Sequence, residues 1–221
     1  MIFKYSSKIK SLTILSLLLS FSACRPPSGP DDYASQEYIP DAAMPIDLIL
    51  AEGEERLSLG IFYEGPFTQE VLIDDVSSHF YIYEESFSLI AFDGDRIEGL
   101  SCDLLTHRGG AWWGGGVHWD EARDLSEWST LHLSLKSDAS SFESLQLAMN
   151  NSDTAQAKLN LSPYGFKTDD AWHSLEIPLA DLEQQGLDLT QVMAPLVLIG
   201  QAGMSGDRLL IDAVYLSRQN P

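Results

Sequence analysis

Between Leu131 and Leu216 the chain alternates apolar and polar residues again and again, and that rhythm leaves few folds open. Leu131-His132-Leu133-Ser134-Leu135 is the clearest case. A period of two marks a half-buried strand, because successive side chains of a strand point to opposite faces. Leu145-Gln146-Leu147-Ala148-Met149, Lys158-Leu159-Asn160-Leu161 and Leu175-Glu176-Ile177-Pro178-Leu179 repeat the signature. Pro178 there predicts an edge or a strand end, since proline has no amide hydrogen to give a ladder. Residues 196–199 and 209–216 are instead continuous apolar runs, as expected of central strands covered on both faces. Further strands are read over 46–50, 57–63, 70–76, 79–83 and 99–106, with turns at Glu52-Gly53-Glu54-Glu55, Gly65-Pro66 and Asp93-Gly94-Asp95. Residues 180–186 are the one helical turn. Many short strands, no sustained helix and no βαβ alternation predict an all-β protein, an antiparallel β-sandwich or jelly roll.

One stretch interrupts the rhythm. Gly109 to Asp120, GGAWWGGGVHWD, sets three tryptophans and five glycines into twelve residues. Tryptophan brings a large flat apolar face, and glycine removes the side chains that would hide it. Such a segment is either the tightest part of a core or a platform for something flat, such as one face of a sugar ring. In an extended strand Trp112 and Trp113 point to opposite faces. Val117 and Trp119 share the parity of Trp113, and His118 shares that of Trp112, provided the glycines insert no bulge. Both rings therefore stay candidates for ligand stacking, with Trp119 beside them and with Arg108, His118 and Asp120 as polar neighbours. Trp128 and Trp172 each precede an alternating strand and are read as core. His132 and His107 have no spaced partner and are read as solvated or hydrogen-bonded.

The N-terminus addresses location. Residues 1–23 carry Lys4, Lys8 and Lys10 before an uncharged apolar run, which is the pattern of a secretory signal and too short to span a bilayer. It ends in Phe21-Ser22-Ala23-Cys24, which resembles the lipobox of bacterial lipoproteins. That resemblance implies acylation of Cys24, anchoring in the cell envelope and, with Arg25 rather than aspartate next, the outer membrane. Residues 24–45 are rich in proline and acid and read as a tether. Loss of residues 1–23 removes three lysines and no acid, taking the net charge from −20 to −23. A surface that acidic repels nucleic acid. Cys102 then has no cysteine left to pair with, so stability must come from the core.

Trp172-His173-Ser174-Leu175-Glu176-Ile177-Pro178-Leu179-Ala180-Asp181-Leu182, then Leu187-Asp188-Leu189 and the closing Leu210-Ile211-Asp212-Ala213-Val214-Tyr215-Leu216, resemble the second half of galactose-binding-like β-sandwiches. Those domains are common among carbohydrate-binding modules, including the C-terminal appendage of some bacterial exo-β-glucanases. Tyr81-Ile82-Tyr83-Glu84-Glu85 resembles their first strand. The likeness covers 79–218 and leaves 46–78 as an N-terminal β extension without a counterpart. Several such modules hold a structural calcium ion between first and last strand. The resemblance implies Glu84, Glu85 and Asp212 as its ligands, with Asp74-Asp75 as an alternative pair.

Catalytic signatures are missing: there is no HExxH, no GxSxG and no zinc-type Cys/His cluster. Two functions lead what is left, and a third, an enzyme, requires two carboxyls facing each other roughly 5 to 9.5 Å apart in a cleft. One is a non-catalytic, lipid-anchored sandwich that binds a glycan through Trp112 or Trp113 with His118 and Asp120. The other is an envelope scaffold that contacts another protein and keeps all three tryptophans in its core. Exposure of the indoles separates them.

Overall fold

The computed structural model describes residues 54–58, 78–99, 101–151 and 156–219. Eleven strands run through them: β1 Glu54–Ser58, β2 Ser78–Ile82, β3 Phe87–Phe92, β4 Cys102–His107, β5 Gly110–Trp119, β6 Thr130–Lys136, β7 Gln146–Asn151, β8 Gln156–Asn160, β9 His173–Pro178, β10 Val192–Gly203 and β11 Arg208–Gln219. A short helix α1, Leu179–Glu183, follows β9. Every pairing is antiparallel, in two sheets. One orders β3-β4-β11-β6-β9, with β1 also on β11, and the other orders β2-β5-β10-β7-β8. The protein is thus an all-β sandwich, as the alternation requires.

The apolar parity explains how the sheets meet. Leu131, Leu133 and Leu135 of β6, Leu147 and Met149 of β7, and Leu175 and Ile177 of β9 all lie in the shared core. The two continuous apolar runs form β10 and β11, the long strands in the middle of each sheet. Pro178 closes β9, which is an edge strand. Trp113 is fully buried and meets Phe87 and Phe142 edge-on, at centroid distances of 5.7 and 5.5 Å. Its cross-strand partner is Gly200, where a Cβ would sit 2.0 Å from the indole nitrogen. Glycine is required there because the Trp113 ring fills the place of a side chain.

Two expectations are corrected. Glu54 and Glu55, read as a turn, open β1 and pair with Gln219 and Arg218 at the end of β11. Trp172, read as core, packs outside the six-stranded sheet on a cluster with Cys102, Leu104, Leu210 and Phe92. His107, read as solvated or hydrogen-bonded, takes the second course: it is 1% exposed, and Gly109 donates its amide to Nδ1 at 2.7 Å. Cys24, the signal at 1–23, the tether at 24–45, the strands at 46–50 and 70–76 and the Asp74-Asp75 pair lie outside the described residues.

Candidate functional site

β5 keeps an unbroken register against both neighbours, pairing residues 112–117 with 201–196 and residues 115–119 with 82–78. No bulge intervenes, so the parity argument holds along the strand. Trp113, Gly115, Val117 and Trp119 face inward; Trp112, Gly114, Gly116 and His118 face outward. Trp113 and Trp119 are 0% and 2% exposed, so neither can offer a ring to a ligand, and both leave the set of candidates. Their burial follows from position: the inner side of β5 faces the opposite sheet, where large rings fill the space between layers. Trp112 is 37% exposed.

The outward face around Trp112 is built on small residues. Cross-strand register puts Tyr81, Gly116, Val197, Ala148 and Lys158 in one row across all five strands, and Gly114, Ile199, Gln146 and Asn160 in the next. Val197, Ala148 and Ala194 form a buried patch against which Tyr83 and Ile199 pack. A Cβ on Gly114 would lie 3.0 Å from Tyr83 and 3.1 Å from the Trp112 ring, so both rings are seated over a bare stretch of backbone. Ser86 fixes that stretch from outside the strand, its Oγ accepting the Gly114 amide at 3.2 Å.

Aromatic groups gather on one side of the patch. Tyr83 Oη and His118 Nε2 are 2.5 Å apart, and Tyr81 and Tyr83 meet the His118 ring edge-on at 5.3 and 5.9 Å. Burial pushes the imidazole below its ordinary value and the phenol of Tyr83 above its own. At neutral pH an uncharged phenol therefore donates to an uncharged imidazole, and the pair holds itself rigid without needing a ligand. Tyr81 and Trp112 are 51% and 37% exposed. Hydrogen-bonding side chains occupy the other side: Gln146 Nε2 donates to Asn160 Oδ1 at 2.9 Å, and Lys158 and Gln201 are exposed. Flat apolar faces opposite amides and an ammonium suit a polyhydroxylated ring, whose C–H face stacks while its hydroxyls find donors and acceptors.

The remaining candidates are scattered. Arg108 and Asp120 flank opposite ends of the ten-residue β5, which itself spans about 30 Å at strand rise. Arg108 instead pairs with Glu85 at 3.6 Å. The carboxylates named for calcium do not converge. Glu84 and Glu85 sit in a tight turn just before Phe87, which pairs with His107, whereas Ile211, the residue before Asp212, pairs with Asp103. That offset is about 17 Å along the strands. Asp212 is also committed locally, its Oδ2 accepting the amides of Ile97 and Glu98 at 2.6 and 3.2 Å and its Oδ1 that of Ala213 at 2.7 Å. Among the described residues no group of three or more His, Cys, Asp or Glu is placed to hold a metal.

Sequence reasoning missed Tyr81 and Tyr83 as parts of this face. Their alternation was visible, but it does not tell which side of the strand faces the core. Gln146, Lys158, Asn160 and Gln201 carry no signal at all until the register aligns them.

Comparison with known proteins agrees with the architecture. Residues 106–207 match the galactose-binding domain-like family model Exop_C. The family 30 carbohydrate-binding module of a cellulosomal cellulase of Clostridium thermocellum is 15% identical, with a TM-score of 0.53 over 65% of this chain and 92% of that one. A second family 30 carbohydrate-binding module is 16% identical, with a TM-score of 0.51 over 62% of this chain and 78% of that one. No curated protein matches the sequence. At these identities the likeness concerns the fold: the chain folds as a β-sandwich of the carbohydrate-binding-module type.

Proposed function

We propose that the protein is a non-catalytic glycan-binding lipoprotein that holds its ligand on the outward face of the five-stranded sheet. The observation that carries this reading is the seating of Trp112: a partly exposed indole over Gly114 beside Tyr83, whose hydroxyl meets His118, on the same outward side as exposed Tyr81. Trp112, with more than a third of its surface exposed, keeps apolar ring area in water. A pyranose covers that area at about 25 cal/mol per Å². Trp112 and Tyr81 stack, while His118, Gln146, Asn160 and Lys158 direct hydroxyls. Galactose-binding-like modules as a class, and the similar structures named as carbohydrate-binding modules, support a sugar over other flat ligands.

The reading is tested by titrating the full-length protein against a glycan array and then measuring affinity for the best ligand. Trp112→Ala is expected to weaken it about tenfold, the loss of one stacked face. If wild type binds no glycan, or Trp112→Ala binds as wild type does, this face is not a sugar site and an envelope interaction lipoprotein becomes the better description. The anchor is a separate element of the proposal. Cys24 carries the lipid and Arg25 favours the outer membrane. Incorporation of labelled fatty acid that disappears in Cys24→Ser is the expected outcome, and equal labelling of both overturns it.

A further inference from the structure

The other sheet carries a cleft, remote from the Trp112 face. It lies on the outward side of β3, β4, β11 and β6 and encloses about 300 Å³ between Phe92, Asp95, Lys136, Asp170, Arg208 and Leu210. Register explains its floor: Leu210 of β11 pairs with Leu104 on one side and Lys136 on the other, and Arg208 lies two residues along the same face. The polar wall is built and internally satisfied. Lys136 Nζ lies 2.8 Å from Asp95 and 3.5 Å from Asp170, and the Trp172 indole donates to the second oxygen of Asp95 at 2.9 Å. Burial works against the Asp95 charge, but these donors outweigh it and hold the carboxyl below its ordinary value. Asp95 therefore serves as a fixed post for Lys136, whose ammonium has hydrogens to spare.

Arg208 differs from the other arginines around it. Its guanidinium lies 5.2 Å from the Phe92 ring centroid, stacked on an aromatic face that sets its orientation. Among the described residues it makes no ion pair, in a chain of 33 acidic and 13 basic residues, whereas Arg108 pairs with Glu85 and Arg218 with Glu127. An oriented guanidinium with no carboxylate partner among those residues, beside a cleft of monosaccharide size, suits a planar anion. Ser137 Oγ donates to the Arg208 carbonyl at 2.7 Å and holds the start of β11 against β6.

We propose that this cleft binds the carboxylate-bearing residue of an acidic glycan, a hexuronic acid, with Arg208 as the fork for its carboxylate. Lys136 donates to a ring hydroxyl, the exposed carboxylates of Asp138 and Asp170 accept from others, and Phe92 and Leu210 meet the C–H face. The carboxylate matters because a neutral sugar leaves the Arg208 fork unfilled. Of the acids inside the cleft, Asp95 and Asp170 share the Lys136 ammonium and Asp138 meets a sugar hydroxyl, which leaves Arg208 to hold the carboxylate; acids beyond about 8 Å are screened at physiological salt.

The test maps amide shifts of the full-length protein by NMR during titration with D-glucuronate and D-galacturonate, with D-glucose and D-galactose as neutral controls. Saturable shifts at Phe92, Lys136 and Arg208 with a uronate, lost about tenfold or more in affinity in Arg208→Ala and retained in Trp112→Ala, support the proposal. Rising salt should weaken the uronate alone. Equal affinity for glucose or galactose, shifts confined to the Trp112 face, or no saturable shift with either uronate overturns it. Because Trp112→Ala tests only the other sheet, failure of one site is distinguishable from failure of the other.

Discussion

The two faces of β5 are made from the same residue types and do opposite work. Inward, Trp113 fills the place vacated at Gly200 and stands edge-on between Phe87 and Phe142. Outward, Trp112 rests over Gly114 with more than a third of its surface in water. On each side a glycine gives an indole room. The pleat alone decides whether that ring becomes core or surface, so composition could not have assigned the roles. The difference predicts that neighbouring substitutions separate cleanly. Trp113→Ala should cost about 3–5 kcal/mol, the usual range for emptying a buried aromatic site. Trp112→Ala should cost less than about 1 kcal/mol, as expected away from a closed core. Urea denaturation of the two variants checks this. Similar midpoints would mean that Trp112 is structural and that the two faces are not distinct.

How much of this was legible depends on what alternation can carry. The strands at 131–135, 145–149 and 175–179 were readable because one buried side imposes a period of two, and Pro178 fixed where β9 stops. The opposed parity of Trp112 and Trp113 was readable too, but its sign was not. Which side of β5 faces the core is set by Phe87 and Phe142, far away in sequence. Glu54 and Glu55 misled for a related reason: two acids after Gly53 look like a turn, and only pairing with the end of β11 makes them a strand. The carboxylates that the resemblance implied for calcium lie apart because the register of β3, β4 and β11, and not their order along the chain, sets the distance between them. The Trp112 face and the Arg208 cleft both depend on cross-strand register, and no single stretch encodes that.

The contrast sharpens when β5 is set beside β11, the other long strand. β5 holds its parity throughout, while β11 loses register between Asp212 and Tyr215, and Ala213 adopts φ +49°. The break leaves Asp212 5% exposed with three backbone amides aimed at it. Burial outweighs those donors and raises its carboxyl from 3.8 to about 6. A raised folded value means that the native state keeps a proton the unfolded chain has already released. Stability from this group therefore rises as pH falls from above 6 toward 3.8, and the cost of burying the charge is fully present above 6. That cost has a ceiling of about 3 kcal/mol, because raising a pKa by one is worth about 1.4 kcal/mol. Asp212→Asn should flatten the urea midpoint between pH 4 and 7 relative to wild type. The general repulsion of an acidic chain eases on acidification in both proteins, so the difference between the two curves is diagnostic. Parallel curves would remove Asp212 as the source.

The smallest expected effect is the most specific one for the outward face. A methyl added in Gly114→Ala meets Tyr83 at 3.0 Å and the Trp112 ring at 3.1 Å, so both rings must give by a few tenths of an ångström. Ring edges on a surface can shift that far, and the stability change should stay below about 1 kcal/mol. Glycan affinity should nevertheless fall several-fold, because the methyl tilts Trp112 and crowds Tyr83 against His118 at the same time. The hydrogen bond between Tyr83 and His118 gives an independent readout. Moving Tyr83 aside lets water reach the His118 ring, and relief of that burial should bring the imidazole back toward its ordinary value, seen as a shifted His118 titration by NMR. Lost affinity with an unchanged His118 titration would assign the effect to Trp112 alone. Unchanged affinity with both rings displaced would mean that the ligand does not rest on the seat that Gly114 provides.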